Sequence, residues 1–227
     1  MRRGAAAGAL GLAGLGALLA SADAAPTPAP ERGVAVVLER ASGRVSVRPA
    51  GVRRYRPLDA AQRLPVGVTV DAQEGAVRLT VARDDAGGTS TATFSDGKFT
   101  VTQPAQGDPV TTLKLTGPSL RDTCGAATAS RKRRKRVRRL WGDGHGSFRT
   151  AGHYSAATVR GTRWLTEDRC DGTLTRVVRG TVEVEDFTIP AAAPPLPPGP
   201  VPAPSAPEGG GARVVEAGGS YVARPGD

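Results

Sequence analysis

Residues 155–186, SAATVRGTRWLTEDRCDGTLTRVVRGTVEVED, alternate apolar and polar side chains between Gly-Thr and Asp-Gly turns. One turn sequence occurs twice: Val159-Arg160-Gly161-Thr162 leads into a Trp-Leu strand, and Val178-Arg179-Gly180-Thr181 into a Val-x-Val strand. A period of two between tight turns describes half-buried β-strands and leaves no apolar stripe for a helix. Gly43-Arg-Val-Ser-Val, Gly67-Val-Thr-Val, Gly75-Ala-Val-Arg-Leu-Thr-Val and Gly97-Lys-Phe-Thr-Val carry the same pattern upstream. The sequence therefore predicts an all-β fold of short strands, each following a glycine turn, with Asp96-Gly97 and Asp171-Gly172 as the clearest hairpin turns. Alternation places Val45, Val47, Val77, Leu79, Val81, Val182 and Val184 in the core, with Trp164, Phe99, Phe94 and Tyr154 filling it. Residues 59–64 are expected to form one helical turn and no more. The second Val-Arg-Gly-Thr falls 19 residues after the first. Stacked rounds of that length would make a small β-solenoid, and a sandwich-like packing of two small sheets is equally open.

Residues 1–24 carry the three parts of a secretory signal peptide: Arg2 and Arg3, an apolar stretch over 5–20, and Ala22-Asp23-Ala24 as a small-x-small cleavage site. The apolar stretch is shorter than the roughly 20 residues needed to cross hydrocarbon, and no second run approaches that length. The expectation is a secreted or extracytoplasmic protein of the bacterial cell envelope, with no transmembrane span. Residues 25–32 then form a flexible leader to a single β domain over 33–227, with a basic insertion at 128–139 and a proline-rich one at 188–211.

Cys124 and Cys170 fit that compartment, where two cysteines most simply pair with each other. No C-x-x-C occurs and the two histidines are not at ligand spacing, so no metal or other cofactor is expected. The positive charge is as localised as the cysteines are few. Taking away residues 1–24 lowers the formal charge from +10 to +9, and eight of those nine charges lie in residues 131–139. They are Arg131, Lys132, Arg133, Arg134, Lys135, Arg136, Arg138 and Arg139, with no acid among them. Such a block repels itself and stays solvated in a loop or at the start of a strand. It could capture a polyanion, whether a glycopolymer, lipid headgroups or nucleic acid. No aromatic interleaves the run, which argues against specific nucleic-acid recognition.

Proline donates no ladder hydrogen bond, so PAAAPPLPPGPVPAPSAP over 190–207 cannot be a strand. Residues 212–217 and 220–223 again read as strands, which makes the proline tract a spacer inserted in a hairpin between 181–186 and 212–217.

The order of these units resembles the FecR-like domain, an extracytoplasmic all-β module. Gly43-Arg-Val-Ser-Val is similar to its opening half. Gly161-Thr162-Arg163-Trp164, Gly180-Thr181-Val182-Glu183-Val184 and Val215-Glu216-Ala217-Gly218-Gly219 are similar to its second half. Full regulators of that type place a sigma-factor-binding domain and a membrane helix before the module, whereas this chain begins with a signal peptide. The resemblance therefore implies a stand-alone interaction module whose partner is an envelope protein or glycan.

Catalytic constellations are sparse. His145 lies in Trp141-Gly-Asp-Gly-His-Gly, which reads as a flexible turn, and His153 precedes a strand. Asp143 with His145 supplies two polar groups, too few for a metal site. Glu183 and Glu185 share the solvent side of a half-buried strand. No Gly-Lys-Ser/Thr phosphate loop occurs. The expectation is a non-enzymatic protein.

Overall fold

The computed structural model describes residues 28–125, 135–159, 161–189 and 211–225. The signal segment 1–24, residues Arg131, Lys132, Arg133 and Arg134 of the basic run, and residues 190–210 of the proline-rich segment lie outside them.

The described residues are all-β apart from one helical turn. The opening strands are β1 (Ala35–Arg48), β2 (Arg56–Pro57), β3 (Gln62–Pro65), β4 (Thr69–Ala82), β5 (Thr89–Thr102) and β6 (Thr111–Leu115). The helical turn α1 (Leu120–Cys124) follows. Then come β7 (Arg136–His145), β8 (Phe148–Ala151), β9 (Ser155–Val159), β10 (Thr162–Arg169), β11 (Gly172–Arg179), β12 (Thr181–Asp186), β13 (Ala212–Glu216) and β14 (Ser220–Ala223).

β1, β4 and β5 are each 14 residues long, not the short strands the glycine spacing predicts. Several glycines read as turns lie inside them. Gly43 of β1 pairs with Gly75 of β4, and the register slips on either side of Gly43 and between Ala72 and Ala76. Gly43 has φ +60°, and a Cβ there would collide with the Glu74 carbonyl, so the kink requires glycine. Asp96-Gly97 is likewise no hairpin turn. It sits within β5 opposite the slip in β4, with Asp96 at φ 62°. An extra residue in one strand of an antiparallel pair bends that strand instead of reversing it. The β10–β11 hairpin does fall at the other expected turn, one residue earlier than Asp171-Gly172: Cys170 and Asp171 make the turn and Gly172 already pairs with Arg169.

The kinks let each long strand serve two layers. The first half of β5 (Thr91–Ser95) pairs with β7, and its second half (Phe99–Thr102) pairs with β6. From β7 one layer continues through β10 and β11 to β14; from β6 the other continues through β8, β9 and β12 to β13. The turn between β13 and β14 closes the far side, where the Val177 and Gly218–Gly219 backbones exchange hydrogen bonds. The sheet is thus a nearly closed, barrel-like sandwich, with bulged strands making one corner. Among the described residues every strand pairing is antiparallel except β6 with β8. A solenoid of stacked rounds is ruled out by that pattern.

The duplicated turn has a different meaning. The chain crosses from β9 in one layer to β10 in the other at Gly161, and returns from β11 to β12 at Gly180. Both glycines have positive φ, and a Cβ on Gly180 would lie 2.8 Å from the Gly161 carbonyl oxygen. The two corners therefore pack against each other, with β9 pairing β12 and β10 pairing β11.

One apolar cluster fills the space between the layers. It contains the seven aliphatic residues picked out by alternation together with Phe94, Phe99 and Trp164. Phe94 centres it, with ring centroids 5.7 Å from Phe99, 5.6 Å from Phe148 and 5.9 Å from Trp164. The Trp164 Nε1–H donates across the layers to Thr150 Oγ1 at 2.9 Å, and that hydroxyl also meets Thr166 Oγ1 at 2.6 Å. This satisfies an indole donor that would otherwise be stranded. Tyr154 is not in the cluster. It precedes β9, outside the alternating run, and stands half-buried with its ring edge-on to His153. Residues 59–64 do not make a helical turn either: Gln62–Pro65 is β3, which pairs with β1 so that Leu64 lies opposite Val36.

Candidate functional site

The titratable residues that could have formed a reaction centre are dispersed. His145 ends β7 opposite Thr91, while His153 lies by the other end of β7, where its backbone N–H, not its imidazole, donates to Asp168 Oδ1 at 2.8 Å. Asp143 is held by Arg179 at 2.7 Å and makes no bond to His145. Glu185 pairs with Arg149, and Glu183 stands exposed on β12. Among the described residues no three His, Cys, Asp or Glu side chains gather as a metal-binding group.

Asp168, unremarkable in the sequence, is a fully buried carboxylate. It accepts from Arg138 (2.7 and 2.9 Å), from the His153 N–H, and from Thr173 Oγ1 at 2.6 Å. A buried charge with this many donors is compensated, and breaking the set leaves it stranded. Its position ties β7, the loop before β9 and the β10–β11 hairpin together; it faces no open cleft.

The disulfide between Cys124 and Cys170 is formed, joining α1 to the tip of that hairpin. Ser119 caps α1, its hydroxyl accepting from the Asp122 N–H. The Cys170 N–H donates to the Lys135 carbonyl, so the basic run enters β7 beside the cystine. Two of its cations are engaged within the fold: Arg138 by Asp168, and Arg139 by Asp96 at 2.9 Å. Lys135 and Arg136 are exposed.

The built surface lies on the outer side of the β5–β7–β10 layer. Trp141-Gly-Asp-Gly-His is not a flexible turn but the second half of β7. Gly142 and Gly144 point inward, where a Cβ would overlap the Trp164 indole and Ala92 respectively. Trp141, Asp143 and His145 consequently stand in line on the outer face, about 7 Å apart along the strand. Ser95, Thr93 and Thr91 of β5 lie directly opposite them. Arg163 of β10, opposite Asp143, sets its guanidinium 5.6 Å from the Trp141 ring centroid. Together these residues line an open groove of about 540 Å³. An aromatic plane bordered by hydroxyls, a carboxylate and a guanidinium suits a ligand with both apolar faces and many hydroxyls. Trp141 was missed in the sequence because glycines on both sides of Asp143 look like turn chemistry. The strict Trp-x-Asp-x-His spacing was the available signal.

No family model, curated protein or solved structure matches this chain.

Proposed function

We propose that this chain is an exported, non-enzymatic binding domain of FecR-like type that holds an envelope glycan, or a glycan-bearing envelope protein, on the outer face of β5, β7 and β10. The line of Trp141, Asp143 and His145 opposite a hydroxyl ladder carries this reading. An aromatic ring on a strand is pre-organised, so sugar stacking against Trp141 orders little besides the ligand. Export is supported by the cystine, which persists in an oxidising compartment.

Co-sedimentation of the mature protein with bacterial wall sacculi, stripped of their anionic polymers, tests the assignment. Trp141→Ala is expected to weaken binding about tenfold, the effect of losing one stacking contact, while Glu183→Gln on the other layer leaves it unchanged. Equal binding by Trp141→Ala and the unaltered protein overturns it.

A second reading places the ligand, an anionic polymer, on the basic run; it is favoured by the exposure of Lys135 and Arg136 where the run enters β7. Under that reading, glutamine at 131–136 abolishes salt-sensitive binding and Trp141→Ala does not.

A further inference from the structure

On the outer side of the other layer, we infer a second binding site, built around Tyr55, for an anionic polysaccharide. Strand register assembles it from distant parts of the chain. Arg48 of β1 lies opposite Thr69 of β4, Thr69 opposite Thr100 of β5, and Thr100 opposite Lys114 of β6. In the next row Asp71 pairs with Lys98. The loop that follows β1 brings Tyr55 back over these rows, so that Arg48 Cζ and Lys98 Nζ each stand 5.1 Å from its ring centroid. The same loop carries Arg53 and Arg54, both exposed.

Three observations give the ligand its chemistry. First, the charge is uncompensated. Lys98 bonds Asp71 at 2.8 Å, whereas Arg48, Arg53, Arg54 and Lys114 have no carboxylate within ion-pair distance among the described residues. Cations gathered around one point raise the local potential and draw an anion there. Secondly, the ring is available: Tyr55 is 37% exposed although two cations flank it. Thr69, buried in the same row, spends its hydroxyl on Thr100 Oγ1 at 3.1 Å. A sugar ring stacks its C–H face on the phenol and places its carboxylate or phosphate between Arg48 and Lys98. Thirdly, the surface continues as a path. Lys98, which faces Tyr55, also lines a groove of about 200 Å³ with Gly117, Arg136, Arg139 and the Asp96 that pairs with Arg139, at the point where the basic run enters β7. A path of that kind fits a polymer better than a single sugar.

The alternatives fit less well. Single-stranded nucleic acid is held by several stacking platforms in succession, and one aromatic stands here. A lipid surface calls for an apolar face to insert, and Val52 is the loop's single large exposed aliphatic side chain.

The site is independent of the Trp141 face, and its test separates the two. Binding of the mature protein to polygalacturonate is measured at about 0.15 M salt, where surface attraction is already screened beyond about 8 Å. The background is a variant with glutamine at 131–135. Tyr55→Ala is expected to weaken binding about tenfold and Tyr55→Phe to retain it, because the phenol ring and not its hydroxyl does the stacking. The double variant Arg48→Gln, Lys98→Gln should lose most of the salt dependence. Trp141→Ala should bind polygalacturonate normally even if sacculus binding fails. Unchanged affinity in both Tyr55→Ala and the double variant overturns the proposal. So does tighter Tyr55-dependent binding to oligo-deoxythymidylate or to phosphatidylglycerol vesicles than to polygalacturonate. The charge variants keep the test decisive should Tyr55→Ala fail to fold, as judged by its thermal transition.

Discussion

At the scale of single residues, Asp186 shows how a polar group can hold the two layers together. It ends β12 in one layer and accepts from the Tyr221 hydroxyl of β14 in the other at 2.6 Å, as well as from the Thr188 N–H and hydroxyl. Burial pushes its carboxyl upward, but the bonds from Thr188 and Tyr221 outweigh this and hold it below its ordinary value of 3.8. The same bond raises the Tyr221 phenol above 10.0. The depressed carboxyl stabilises the fold above pH 3.8, and that contribution is lost as pH falls through the folded-state value. The raised phenol stabilises it below pH 10.0, and that is lost as pH rises through the folded-state value. Replacing Tyr221 by Phe should therefore lower stability by about 1.5–3 kcal/mol near neutrality, the range for a hydrogen bond to a charged group. The difference between the two proteins should shrink at both pH extremes, as read from denaturant midpoints. None of this was legible in the sequence, where Asp186 and Tyr221 lie 35 residues apart across a proline-rich stretch. The inward valines, by contrast, were readable because a two-residue period is a local property. Asp168 and Tyr55 carried no local mark; register between distant strands gives each its neighbours.

Among the elements, the long kinked strands explain why glycine positions misled and alternation did not. A glycine signals a backbone conformation or a close approach, and both a hairpin turn and a bulge use it. Gly43 and Gly75 bend strands, whereas Gly161 and Gly180 turn corners, and the residues around them look alike. The helical element α1 is short and depends on its surroundings: it buries no residue of its own and ends at the cystine. The sequence separation of 46 between Cys124 and Cys170 sets the stabilisation from crosslinking at about 4 kcal/mol in the chain-entropy picture. Reduction, or a Cys124→Ser, Cys170→Ser variant, should lower the unfolding free energy by roughly that amount while leaving the strand signal in circular dichroism. Loss of all β structure under native conditions would show that the cystine does more than restrict the unfolded chain.

For the whole molecule, the last strands matter most. β13 extends one layer and β14 the other, and the turn between them hydrogen-bonds to Val177. A chain ending at Ile189 would leave β12 and β11 as bare edges and uncover Val182 and Val184. Unpaired edges template association, so this truncation should aggregate on expression while the full chain stays monodisperse in size-exclusion chromatography. The all-β class was readable from the sequence because every segment votes the same way. The closure was not, since it depends on two strands of four and five residues meeting partners far upstream.

The three kinked strands also limit how the domain can move. Each runs unbroken from one layer into the other, so the halves cannot gape like a clamshell without tearing continuous backbone ladders. Whatever settles on either flank meets a finished shape, and the two flanks share one rigid strand, β5, whose Thr93 and Lys98 straddle the bend at Asp96.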